Sequence, residues 1–155
     1  MPYVGMTLHE TVHYGLNASD SVGEEEWSTL SIFPRGFGRI HLGEERRVFN
    51  HVFWHQMHCI VSMQTAVRNR NNPFTHPPHI GHCLNYLRQT FLCAADHTLE
   101  TGDFLKRDFE KDRIADTRMC RDWDMVERYL GGERIQKFFD WKHQYYPPRP
   151  SKVTT

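Results

Sequence analysis

Two stretches decide how this chain folds: His55-Gln56-Met57-His58-Cys59 and His79-Ile80-Gly81-His82-Cys83. Both spell His-x-x-His-Cys, so four imidazoles and two thiols fall between positions 55 and 83. On a helix, residues at i, i+3 and i+4 share a face, and each copy presents two rings and one sulfur to the same side. Imidazole and thiolate are the ligands of zinc, copper and iron sites. One histidine pair at this spacing is ordinary surface or core decoration. Two copies, each ending in cysteine, point to metal binding.

Outward from the motifs, the apolar residues keep helical spacing. Phe49, Val52, Phe53, Ile60, Met63 and Val67 predict a helix from about Glu45, broken by Asn69-Arg70-Asn71-Asn72-Pro73. Pro77-Pro78 suits a first helical turn, and Ile80, Leu84, Leu87 and Phe91 carry a second helix onward. So short a connection makes the two helices antiparallel neighbours, with both ligand sets at their interface.

Upstream, Ser21 with Glu24 has the capping-box pattern and opens a short helix stopped by Pro34 and Gly36-Phe37-Gly38. Arg39–Leu42 alternates as a brief strand ending at Gly43. Downstream, Asp103 to Thr117 is charged and weakly periodic. A helix opens at Arg121-Asp122-Trp123-Asp124, with Val126 and Leu130 inward. A last amphipathic helix runs through Ile135, Phe138, Phe139 and Trp141. The expected fold is mainly α: a small single-domain helical bundle over 1–155, with two packed motif-bearing helices and at most a short strand or hairpin. Residues 1–19 are expected as a loosely held arm, 20–146 as the helical core and 147–155 as a Pro-rich tail.

Composition narrows the function. The 155 residues suit one domain, and Lys plus Arg equal Asp plus Glu at 19 each, which does not suggest a nucleic-acid partner. Eleven histidines are the anomaly. No stretch approaches the roughly 20 apolar residues of a membrane span, and the start lacks the basic and apolar regions of a signal peptide. The chain reads as soluble, with cytoplasm or secretory lumen undecided. A homo- or hetero-dimer is open.

The cysteines leave alternatives. As ligands, Cys59 and Cys83 would make a thiolate-rich site suited to zinc or cuprous copper. As a bridge, they would leave His55, His58, His79 and His82 as an all-imidazole site. A Cys93–Cys120 disulfide would staple a helix end to a later helix start. A Cys59–His58 nucleophile is disfavoured, because adjacent helix positions point about 100° apart. The C-x-x-C-H haem signature and Gly-rich phosphate loops are absent. Asp96 and Glu100, one turn apart on a presumed helix end, are candidates to orient the histidines by hydrogen bonds from behind, as are His97 and Asp122. Trp54, Phe74, Tyr86 and Trp123 are candidates to line an apolar pocket or to fill the core.

Phe53 to Cys59, His79 to Gln89, Cys93 to Glu100 and Cys120-Arg121-Asp122-Trp123 together resemble the UstYa-like oxidases of fungal natural-product pathways, in colinear order over roughly residues 25 to 130. The resemblance implies oxidative tailoring of a secondary metabolite by cyclisation, hydroxylation or desaturation. It also implies copper held by His55, His58, His79 and His82, with dioxygen as co-substrate; zinc and iron accept the same ligands. Two departures stand out: the N-terminal membrane anchor of typical members is not seen, and Arg118 stands where members often carry histidine. A redox-neutral cyclase or isomerase of a natural-product pathway is therefore the alternative. A non-catalytic interaction domain stabilised by zinc is the third reading.

Overall fold

The computed structural model describes residues 1–146 except 10, 18, 33–37, 101, 104, 109–110, 112–113 and 131. In chain order the elements are β1 (Tyr3–His9), α1 (Ser21–Ile32), β2 (Arg39–Leu42), β3 (Arg47–Asn50), α2 (Val52–Arg68), α3 (Pro77–Cys93), β4 (Ile114–Arg121), α4 (Trp123–Leu130) and α5 (Gly132–Tyr145). Helices α2 and α3 carry the two motifs and pack antiparallel. Between them lies the small core of Cys59, Cys83 and Leu87, flanked by Ile60, Met63 and Tyr86.

Local chemistry sets this helix pair. His51 caps α2, its Nδ1 accepting from the Phe53 amide at 3.3 Å. The helix ends where Asn69 turns extended, and side-chain oxygens of Asn69 and Asn72 accept from the amides of Asn71 and Phe74 at 3.0 and 2.9 Å. Such Asx turns offer the backbone an alternative to helix. His76 then caps α3, with Pro77 and Pro78 in its first turn. The asparagine run and the proline pair thus act as stop and start, as their residue types predict.

The bundle expectation fails elsewhere. Among the described residues five helices stand beside two small antiparallel sheets, β1 with β4 and β2 with β3, so the fold mixes α and β. The strand expected at Arg39–Leu42 is present as β2, but it pairs with a β3 that the helical reading had absorbed into α2. Phe49 belongs to β3. Gly43 (φ +76°) and Arg46 (φ +51°) take left-handed conformations in the turn, and the Arg46 amide donates to the Gly43 carbonyl at 3.2 Å. That turn reverses the chain before the helix begins at Val52.

Part of the N-terminal arm forms a strand. Tyr3 to His9 pairs with β4 from Tyr3↔Arg121 to His9↔Ile114, with a register shift between Thr7 and His9. The Thr7 and Thr117 hydroxyls meet at 2.6 Å, and Arg121 lies over the Tyr3 ring. Helix α1 is capped by Asp20, whose Oδ1 accepts from the Val22 amide at 3.1 Å, rather than by the expected Ser21. Its expected stop at Pro34 and Gly36-Phe37, like the 147–155 tail, lies outside the described residues.

One glycine is indispensable to the site's support. Gly38 has φ +64°, and a Cβ there would fall 2.4 Å from Trp54 Cγ. The bare backbone lets the start of β2 lie against the buried Trp54 on the first turn of α2. No described helix is long and apolar enough to cross a membrane.

Candidate metal centre

Because α2 and α3 run antiparallel, their histidines meet crosswise. His58 Nε2 lies 3.3 Å from His79 Nε2, and His55 Nε2 lies 3.3 Å from His82 Nε2. The ring centroids of the two pairs are 5.3 and 5.4 Å apart. His79 Nδ1 is 2.8 Å from the Phe74 carbonyl, which can only accept, so Nδ1 carries the proton and Nε2 keeps its lone pair. His58 Nε2–H then donates to that lone pair in the neutral state.

Two nitrogens bound at about 2.0–2.1 Å to one tetrahedral ion stand about 3.3–3.4 Å apart. The separation that a shared proton spans in each pair is therefore one that a metal ion can span. A ring anchored through Nδ1 to a backbone carbonyl is the usual way a protein aims a ligand histidine. Each pair fits a metal as a two-nitrogen jaw. Among the described residues no group of three or more His, Cys, Asp or Glu side chains is placed to hold one ion, so each jaw brings two ligands and no third.

Burial holds the His55 and His58 pKa values below that of free imidazole, and the neighbouring histidines add to it: His82 and His79 for His55, His79 and then His55 for His58. Both rings stay neutral, as ligands must, to lower pH than an isolated histidine.

The sulfurs separate from the imidazoles. Cys59 and Cys83 are 0% exposed, and all four cysteines of the structure are free thiols. Burial, helped by a hydrogen bond to Cys83, pushes the Cys59 thiol up to about 12. A thiol held that firmly in its protonated form is a packing group and a poor source of thiolate. The rings take the rim of the helix interface and the sulfurs its floor. Cys93 is exposed at the end of α3, and Cys120 is half-buried in β4.

The other expected assistants sit elsewhere. Residues 95–100 carry no helix. Arg118 binds Asp96 at 2.5 Å and Glu100 at 3.4 Å, so both carboxylates tie this segment to β4 instead of orienting a histidine. Hydrogen bonds from Thr98, with Arg118 beside them, hold the Asp96 carboxyl down at about 2. His97 is exposed, and Asp122 accepts from the Met125 amide as the cap of α4.

Three participants have roles beside the histidines that the motifs themselves do not specify. Tyr86 packs against His55 with ring centroids 4.1 Å apart and the planes tilted by 30°. The Phe74 carbonyl fixes the His79 tautomer, while the Phe74 ring is 79% exposed. His76, one ring further along, caps the helix. The spacing of Tyr86, four residues past His82, is the one clue that was available.

Residues 39–133, from β2 to the first turn of α5, match the family model described as mycotoxin biosynthesis protein UstYa. The chain belongs to the UstYa family. The matched region holds both motifs, the β2–β3 hairpin and α4, while β1 and α1 precede it. The chain is similar to the UstYa family oxidase phomYd of Diaporthe leptostromiformis, 31% identical over 49% of this chain and 27% of that protein. Oxidase ustYa of Aspergillus flavus is 31% identical over 54% and 40% of the two chains. Chlorinase cctP2 of Talaromyces islandicus is 31% identical over 49% and 25%. The chain thus spans less than half the length of these curated relatives. No solved structure matches it.

Proposed function

We propose that this chain is the histidine-bearing region of an oxidase that tailors a fungal secondary metabolite, with copper held by His55, His58, His79 and His82. The observation that carries the reading is the crosswise pairing of Nε2 atoms at 3.3 Å, with His79 aimed by the Phe74 carbonyl. The oxidase names of the relatives supply the reaction class.

Copper bound there supplies one-electron redox chemistry and a site for dioxygen. The residues around it do the rest. Two pairs on two helices bind one or two ions without thiolate, since both sulfurs are buried in the floor and burial holds the Cys59 thiol protonated. Burial keeps His55 and His58 neutral. Tyr86 packs its ring against that of His55, and its hydroxyl pKa is raised by burial, so it remains a neutral donor beside the site.

Metal analysis of the purified chain, followed by copper(II) titration with EPR detection, tests this. One or two copper ions per chain with nitrogen hyperfine structure, and oxygen consumption dependent on copper and on a metabolite substrate, are expected. Binding of zinc alone, with no copper affinity, removes the oxidase reading.

A further inference from the structure

Against the flank of α2 that carries Phe53, Trp54, Met57 and Ile60 lies a cavity of about 630 Å³. Trp54 and Met57, sequence neighbours of His55 and His58, form its α2 wall; Trp27 and Tyr14 close it from the N-terminal side and Trp123 from α4. Its size is that of a site for a small organic molecule, within the common range of about 300–1,000 Å³. Its described lining holds a single charged group, Glu127 of α4. Glu127 and Trp123, four residues apart, share one face of α4. The Glu127 carboxylate is half-buried and meets no hydrogen-bond or ion-pair partner among the described residues.

The aromatic wall is held in place. Trp27 Nε1 donates to the Gly15 carbonyl at 3.1 Å, and Tyr14 meets Trp27 edge-on at 5.4 Å between centroids. Tyr14 has φ +59°, a left-handed conformation that costs a non-glycine residue about 1–3 kcal/mol. The Tyr14 amide donates to Glu26 Oε2 at 2.7 Å, and His13 bonds the other oxygen of that carboxylate. Backbone held in this conformation places the tyrosine ring against the indole at the cavity wall.

Indole faces attract cations, and a carboxylate without a partner in an apolar wall recovers its lost hydration by meeting one. We propose that this cavity binds a protonated amine carried on an apolar or aromatic body, with Glu127 taking the ammonium and Trp27, Trp54 and Trp123 enclosing the body. That the occupant is the substrate rests on the oxidase reading above; that the cavity prefers an amine does not depend on it.

The test uses the metal-free full chain and its tryptophan fluorescence. Phenethylamine, the isosteric neutral phenethyl alcohol and the anionic 3-phenylpropionate are titrated in turn. Saturable binding of the amine is expected, at least about tenfold tighter than the alcohol, the usual scale of a charge-assisted contact, with the carboxylate weaker still. Glu127→Gln abolishes the preference of amine over alcohol and leaves the copper titration unchanged. Equal binding of all three probes, binding of none, or an intact preference in Glu127→Gln overturns the proposal. Should Glu127→Gln fail to fold, the three probes on the wild-type chain decide alone. Loss of copper affinity with the amine preference intact would overturn only the metal reading.

Discussion

The α2–α3 pair and the β1–β4 ribbon are both two-element antiparallel units, yet they are stabilised in opposite ways. The helix pair is local: His58 and His79 meet across 21 residues, and its interface buries two thiols and Leu87 completely or nearly so. The ribbon joins positions 110 residues apart through Thr7 and Thr117, and every residue of β1 is exposed. Local contacts are cheap in loop-closure entropy and the helix pair adds apolar burial. The ribbon has long-range closure and little burial to offset it. Rigidity therefore concentrates where the histidines are, which is what a preorganised site requires.

That contrast can be broken or sharpened by mutation. Leu87→Ala, which opens the floor between the helices, should cost about 2–4 kcal/mol in denaturant unfolding and weaken metal binding with it. A loss below about 1 kcal/mol would mean that the helix interface is not the core.

Acidification should act next. His55 and His58, together with His41 and His51, have folded-state pKa values lowered mainly by burial. As pH falls, the unfolded chain takes up these protons first. Stability from these groups is therefore fully present above about pH 6.5 and declines below it as pH falls toward the lowered folded values. Urea midpoints at pH 7.5 and pH 5 should differ in that direction; a pH-independent midpoint would contradict the burial argument.

The ribbon should respond least. Thr117→Ala removes one exposed hydroxyl contact and should cost less than about 1 kcal/mol, with copper affinity unchanged. A large loss there, or a loss of metal, would show that the ribbon supports the site.

The same contrast explains what the sequence revealed. Helices announce themselves through local periodicity, and the asparagine run, the proline pair and the Asp-Trp start of α4 punctuate them with local chemistry. The ribbon depends on a partner far along the chain, and Ile114 to Arg121 mixes Asp, Thr and Arg too freely to betray a strand. β3 was lost differently: Phe49 happened to fall in helical phase with α2, while the decisive turn depends on left-handed backbone at Gly43 and Arg46. In the site, helical phase correctly grouped the histidines. It did not separate imidazole from thiol, because that division depends on which residues of the shared face lie at the floor of the interface and which at its rim.

The central claim is that His58 and His79 act as one jaw across the helices. A double-mutant cycle of copper affinity tests it most directly, using His58→Ala, His79→Ala and the double variant, with circular dichroism confirming unchanged helicity. Each single change should weaken binding at least about tenfold, and the double variant should lose little beyond either single one, since groups that share one interaction are non-additive. Independent, additive losses, or wild-type affinity in the double variant, would contradict the account.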